Sequence, residues 1–137
     1  MRYRANSRSG AAIIEFAIVA NVLFLMIFLC LEFARINMVR NLAQDAAYFA
    51  ARVAVVPGAT AAEAEAIAHT LMSTMVDSGY TVVAAEINDD TTEAVVTVSV
   101  DVDHVAFFGS KFLPNTEIVA TARMRTERFT GFFKPST

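Results

Sequence analysis

Gly10, Ala11 and Glu15 are the residues whose types and spacing could do chemistry. They open the run Gly10-Ala11-Ala12-Ile13-Ile14-Glu15-Phe16, which stays apolar to Leu31. A carboxylate in such a run is unfavourable, by about 2.5–3.5 kcal/mol at the centre of a bilayer and less near its edge. An anchor alone would use leucine there, so Glu15 needs a partner. Cutting the chain after Gly10, an accessible glycine at the end of a basic leader, would create one. The new amine on Ala11 would stand four residues from Glu15, about 6 Å along a helix axis. In a packed assembly the ammonium of one subunit can meet the Glu15 carboxylate of its neighbour in low dielectric. A slipped subunit would leave a charge unpaired, so the pair would set axial register.

Other chemistry-bearing residues have plainer explanations. No nucleophile–base constellation and no phosphate-binding glycine loop is visible. His69 falls beside the apolar face of a helix, and His104 ends a strand. Asp101-Val102-Asp103-His104 has metal-ligating residue types, but Asp101 and Asp103 alternate onto a solvated strand face and no further ligand is evident. Asn88-Asp89-Asp90 lacks the ligand spacing and the glycine of a calcium loop. Cys30 is the only cysteine, which excludes an intramolecular disulfide and any multi-cysteine metal site. It reads as lipid-facing or helix-packing filler, with an intersubunit disulfide as the alternative. No metal or cofactor and no enzymatic activity are expected.

The elements that must position Glu15 begin with its own helix. In 137 residues the chain can hold one modest domain plus an anchor, and 55% hydrophobic against 18% charged residues favours a membrane-associated chain. Three of the 11 basic residues, Arg2, Arg4 and Arg8, precede Gly10; eight basic and 14 acidic side chains follow it, a balance of −6. That acidic part has no footprint for nucleic acid. Ala11 to Leu31 makes about 31 Å of helix, enough to cross a hydrocarbon core of about 30 Å. It is longer than the core of a cleaved secretory signal, and no small-x-small site follows it. Glu32-Phe33-Ala34-Arg35-Ile36 simply continues the helix.

Gly10-Ala11-Ala12-Ile13-Ile14-Glu15-Phe16 resembles the class III signal of prepilin-like proteins, cut after a glycine with glutamate at mature position five. Phe16 directly after the glutamate resembles the tight-adherence (Tad/Flp) branch of type IV pili. The resemblance continues through Leu31-Glu32-Phe33-Ala34-Arg35 and Asn41-Leu42-Ala43-Gln44-Asp45-Ala46-Ala47-Tyr48-Phe49-Ala50-Ala51-Arg52, a pattern similar to the TadE-like minor pilins, or pseudopilins. It covers about residues 8–54. Such proteins often carry a proline in mid-run where this chain has Asn21, so a proline kink is not carried over. Asn21 can instead hydrogen-bond across helices or cap its own backbone.

The resemblance implies a prepilin peptidase acting at Gly10 and Ala11, with Glu15 and Phe16 serving assembly and register. It implies as partners a TadF-like pseudopilin, the Flp-type major pilin, an inner-membrane assembly platform and membrane lipid. The leader would lie inside and the C-terminus outside the cytoplasm. Arg35 and Arg40 follow the span closely, so the positive-inside bias alone is slight.

Beyond the span no helix breaker appears before Val56. Val39, Leu42, Ala46, Phe49, Val53 and Val56 alternate three and four residues apart, the spacing of a coiled-coil-like seam. Ala43, Ala47, Ala50, Ala51 and Ala54 keep that surface narrow. The stripe can pack on the protein's own sheet or on neighbouring subunits, and both are expected along different parts. Pro57-Gly58 ends the helix. Thr60 and Glu63 form a capping box that opens a second helix of about 18 residues, with Ala64, Ile67, Ala68, Leu71 and Met75 on its apolar face and Gly79 after its end.

Three strands are expected: Tyr80 to Ile87; one with Val96, Val98, Val100 and Val102 inward; and Thr116 to Glu127 with Ile118, Ala120, Ala122 and Met124 inward. Asp101 and Asp103 would face Arg123 and Arg125 on antiparallel neighbours. The apolar connection His104 to Pro114 and the tail with Phe129, Phe132 and Phe133 either plug the core or face a partner. The fold class is therefore α+β: a long N-terminal transmembrane helix continuing as an extracytoplasmic stem, a second amphipathic helix and a three-stranded antiparallel sheet. Its divisions are a leader over 1–10, a transmembrane helix over 11–33, a stem over 34–56 and a cap over 57–137. The functional expectation is a minor pilin contributing to pilus biogenesis and adhesion. The alternative is an uncleaved single-pass binding or sensor module with an extracytoplasmic cap.

Overall fold

The computed structural model describes residues 7–87, 92–107 and 116–125, the first three as backbone only. From Ser7 to Val56 the chain has no proline and, besides Gly10, no glycine. It forms one α-helix, α1, Ser7–Ala54. Its 48 residues span about 72 Å at 1.5 Å each. The helix starts before Gly10 rather than at Ala11, because a single glycine inside a helical run lowers helix propensity without breaking it. At the far end Val56 N–H donates to the Val53 carbonyl (3.1 Å), a tightened last turn before Pro57 and a left-handed Gly58 (φ 87°).

Helix α2, Ala61–Met72, opens on the expected capping box. Glu63 N–H donates to Thr60 Oγ1 (3.3 Å) and Thr60 N–H to Glu63 Oε2 (3.1 Å). The helix is 12 residues long, not about 18. Three hydroxyls cluster where it stops: Thr70 donates to the Ala66 carbonyl, Ser73 to Thr70 and Thr74 to Leu71. These side chains compete with the backbone for the last carbonyls, which favours a helix end over another turn. Gly79 is thus not the residue after the helix. It carries φ 80° in the bend leading to the sheet, and a Cβ there would collide with the His104 ring.

The sheet has the order β1-β2-β3, with β1 Tyr80–Ala84, β2 Glu93–Asp101 and β3 Glu117–Arg125, antiparallel throughout. Val96, Val98 and Val100 alternate inward on the central strand as expected and are fully buried. β1 stops at Ala84, although Ala85 N–H still reaches the Val95 carbonyl at 2.9 Å. Val102 is buried but begins a short helix, α3, Val102–Val105, instead of extending the strand. The Asp101 carboxylate accepts from Asp103 N–H (2.9 Å) and caps that turn. The expected cross-strand charge pairing is overturned by the register: Asp101 faces Glu117, whereas Arg125 faces Glu93 and Arg123 faces Val95. Both arginines lie at the opposite end of the strand pair from Asp101.

One sheet face is covered, by α1 over β2 and β3 and by α2 mainly over β1. The cover is built largely from alanine. Ala43, Ala46, Ala47, Ala50, Ala51 and Ala54 of α1 and Ala64 and Ala68 of α2 are buried around the β2 valines, with Met72 filling the remaining space. Small side chains let the helix backbones approach branched valines at interior packing density. Ile67 and Met75, expected on the inner face of the second helix, remain exposed, and Met72 takes the inner position. Val105 plugs the end of the core, while Phe107 stands outside it. The other aromatic residues of the 104–114 connection, Phe108 and Phe112, lie outside the described residues. So do Asn88-Asp89-Asp90 and the phenylalanines of the tail.

Candidate processing and assembly site

Gly10 sits at the end of the first turn of α1. Gly10, Ala11, Glu15 and Phe16 are all exposed. A Cβ at Gly10 would meet nothing within 4 Å. An exposed helical glycine is worse than alanine by about 0.5–1 kcal/mol, and nothing among the described residues requires its bare backbone. Among the described residues Glu15 has no hydrogen-bond or ion-pair partner within the chain. The ring of Phe16 is 74% exposed, and Ile13 and Ile14 beside the carboxylate are exposed as well. One subunit therefore presents an unpaired carboxylate on an otherwise apolar helix surface.

The seam of the stem divides between inside and outside. Val39 and Ala46 are buried, and Leu42 and Val53 are half-buried. Phe49 is 45% exposed, with Tyr48 edge-on to it at 5.8 Å between ring centroids. Phe49, Val53 and Val56 of the stem side face Ile67 and Leu71 of α2 across an open groove of about 570 Å³, with Arg52 and Thr70 at its margin. The intramolecular contact of α1 thus runs through the alanines, and the larger seam residues edge a groove that the single chain leaves open. The sequence signal for that groove was Ile67, which the spacing had placed on the inner face.

Residues 10–52 match the TadE-like protein family. The chain carries a TadE-like domain. The match begins at Gly10 and ends at Arg52, so it takes in the glycine, the glutamate, the apolar run and the alanine-rich stem. No curated protein and no solved structure matches the chain. Helix α1 is long and apolar enough for a single membrane span.

The candidate ligands do not converge. Among the described residues no group of three or more His, Cys, Asp or Glu could hold a metal ion. Asp101 is committed to capping α3, and the His104 ring packs over Gly79. His69 Nδ1 lies 3.4 Å from the Tyr80 hydroxyl, a contact that ties the end of α2 to the start of β1. Cys30 is exposed on α1 within the apolar run. One juxtaposition gave no sequence signal. The Arg35 guanidinium stands 4.4 Å from the ring centroid of Phe107, a residue 72 positions away in the chain.

Proposed function

We propose that this protein is a minor pilin, or pseudopilin, of a Tad-type pilus, trimmed after Gly10 and assembled through α1. The observation that carries the proposal is the Glu15 carboxylate, unpaired among the described residues and five residues from a glycine that none of them requires, inside a segment matching the TadE-like family. Cleavage would free the Ala11 amine. That ammonium would pair with Glu15 of a neighbouring subunit and hold the two helices in register.

The groove edged by Phe49 and Val53 supplies the matching surface further along the same helix, fit for a neighbouring pilin helix. Minor rather than major status follows from the cap. About 80 residues beyond Val56 would obstruct dense helical packing along a shaft, which favours a role in initiating the pilus or at one of its ends. The partners are then the peptidase at the cytoplasmic face, an inner-membrane platform, a TadF-like pseudopilin and the Flp-type major pilin.

Glu15→Leu tests the pairing. The variant should insert and be trimmed as the parent is, yet fail to co-purify with the partner pilins or enter the pilus. Normal assembly of Glu15→Leu would remove the proposed role of the carboxylate.

A further inference from the structure

The cap touches the lipid-ward half of α1 at one corner. Phe107 follows α3 and is 73% exposed, although Val105 two residues earlier is buried in the core. With Arg35 and Glu32, Phe107 lines a cavity of about 390 Å³ whose other walls are Phe28 and Leu31. Phe28 and Leu31 belong to the apolar run, and both are exposed. An aromatic ring of the cap is therefore held at the level of the last turn of that run. Its depth is fixed by the packing of α3 and the sheet on α1 within the same chain.

We propose that, in the membrane-resident chain, Phe107 inserts into the outer interface of the bilayer beside Phe28 and Leu31, with the Arg35 guanidinium reaching lipid phosphate. This rests on the reading that the apolar half of α1 crosses a membrane. The chemistry suits that boundary. An exposed ring continuous with exposed apolar side chains marks a surface that something apolar covers. Arginine stacks on an aromatic face while its planar fork of N–H donors still reaches phosphate oxygens, and its aliphatic stem can lie along the apolar surface. Two of the residues lining the cavity, Phe28 and Leu31, belong to the apolar run, so with that run in a membrane acyl chains and headgroups are its natural occupants. The consequence is a second foothold that fixes the tilt of the cap against the membrane before assembly.

The chain has no tryptophan, so Phe107→Trp introduces a sole tryptophan, excited selectively over the tyrosines, into the full-length protein. Reconstituted in phosphatidylcholine–phosphatidylglycerol vesicles, it should emit at a blue-shifted wavelength. It should lose most of its emission when the acyl chains are brominated near the headgroup. Leu25→Trp, in mid-run, should be quenched best by bromines placed deeper, and Ala62→Trp, on the exposed side of α2, should emit as in water and resist quenching. If Leu25→Trp is quenched while Phe107→Trp behaves like Ala62→Trp, the lipid contact is overturned and the membrane span stands. If Leu25→Trp itself escapes quenching, the span fails and the inference fails with it. A blue shift at Phe107→Trp that resists bromine and vanishes on diluting the protein with lipid would mean that a second copy covers the ring, which also overturns the proposal.

Discussion

Residues 13–33 and 39–54 lie on one helix, yet their apolar side chains meet opposite surroundings. The first half presents Ile, Leu, Phe and Met all round; Ile13, Phe16, Leu25 and Phe33 are each at least 60% exposed. The second half buries a stripe of alanines at 0–1% exposure and turns its larger residues, Tyr48 and Phe49, outward. A helix that is apolar on every side needs apolar surroundings all round, lipid or other protein, whereas one with a single buried stripe packs on one protein core. Side-chain size separates the two halves more clearly than hydrophobicity does. Large residues serve where the surroundings are fluid, and the smallest serve where two backbones must approach across a sheet of valines.

The comparison can be broken by moving the same chemical change between the two settings. The largest effect is expected from truncating the fully buried Met72: Met72→Ala should lower the stability of the cap by about 2–5 kcal/mol. Met26→Ala, in the exposed half, should leave the cap's thermal transition in detergent where it was. Equal losses from the two would mean that the apolar run is packed as tightly as the core between the helices and the sheet. Next comes overfilling. Ala50→Leu should destabilise by about 1–3 kcal/mol, while Ala17→Leu should stay within about 0.5 kcal/mol, both read from the same transition.

Removing the cap of α2 sharpens the picture on a smaller scale. Thr60→Ala loses the side-chain half of the box and should lower stability by about 1 kcal/mol, with no change in membrane insertion. The smallest effect on folding belongs to Phe49→Ser, within about 0.5 kcal/mol, because the ring already lies largely outside the core. Co-purification with partner pilins should nonetheless weaken if the groove faces a neighbour. Intact co-purification would show that the groove serves something else.

Much of this fold was legible because local rules and burial agree. The Thr60–Glu63 box, the Val96, Val98 and Val100 alternation and the stop at Pro57-Gly58 each follow from a backbone need that residue types reveal directly. The inner face of α1 was only partly legible. Spacing picks out the larger seam residues, yet the valine-rich sheet demanded the alanines between them. Strand register was not legible from charge, since exposed pairs contribute little and the packing of the inner faces decides which residues meet. α2 ended early because Thr70, Ser73 and Thr74 offer the backbone other partners, a competition that an apolar period does not display. The candidate site was legible as residues, not as contacts: Gly10 and Glu15 stand out by type, whereas Arg35 over Phe107 depends on how α3 turns the chain.

The central claim is that Gly10 marks a cut and that Glu15 acts only after it. The most direct measurement is the first residue of the protein extracted from membranes of a host with an active prepilin peptidase, by N-terminal analysis or intact mass. The account predicts a chain beginning at Ala11, with Gly10→Leu still beginning at Met1. A parent chain that still begins at Met1 would contradict it and favour an uncleaved, membrane-anchored binding module.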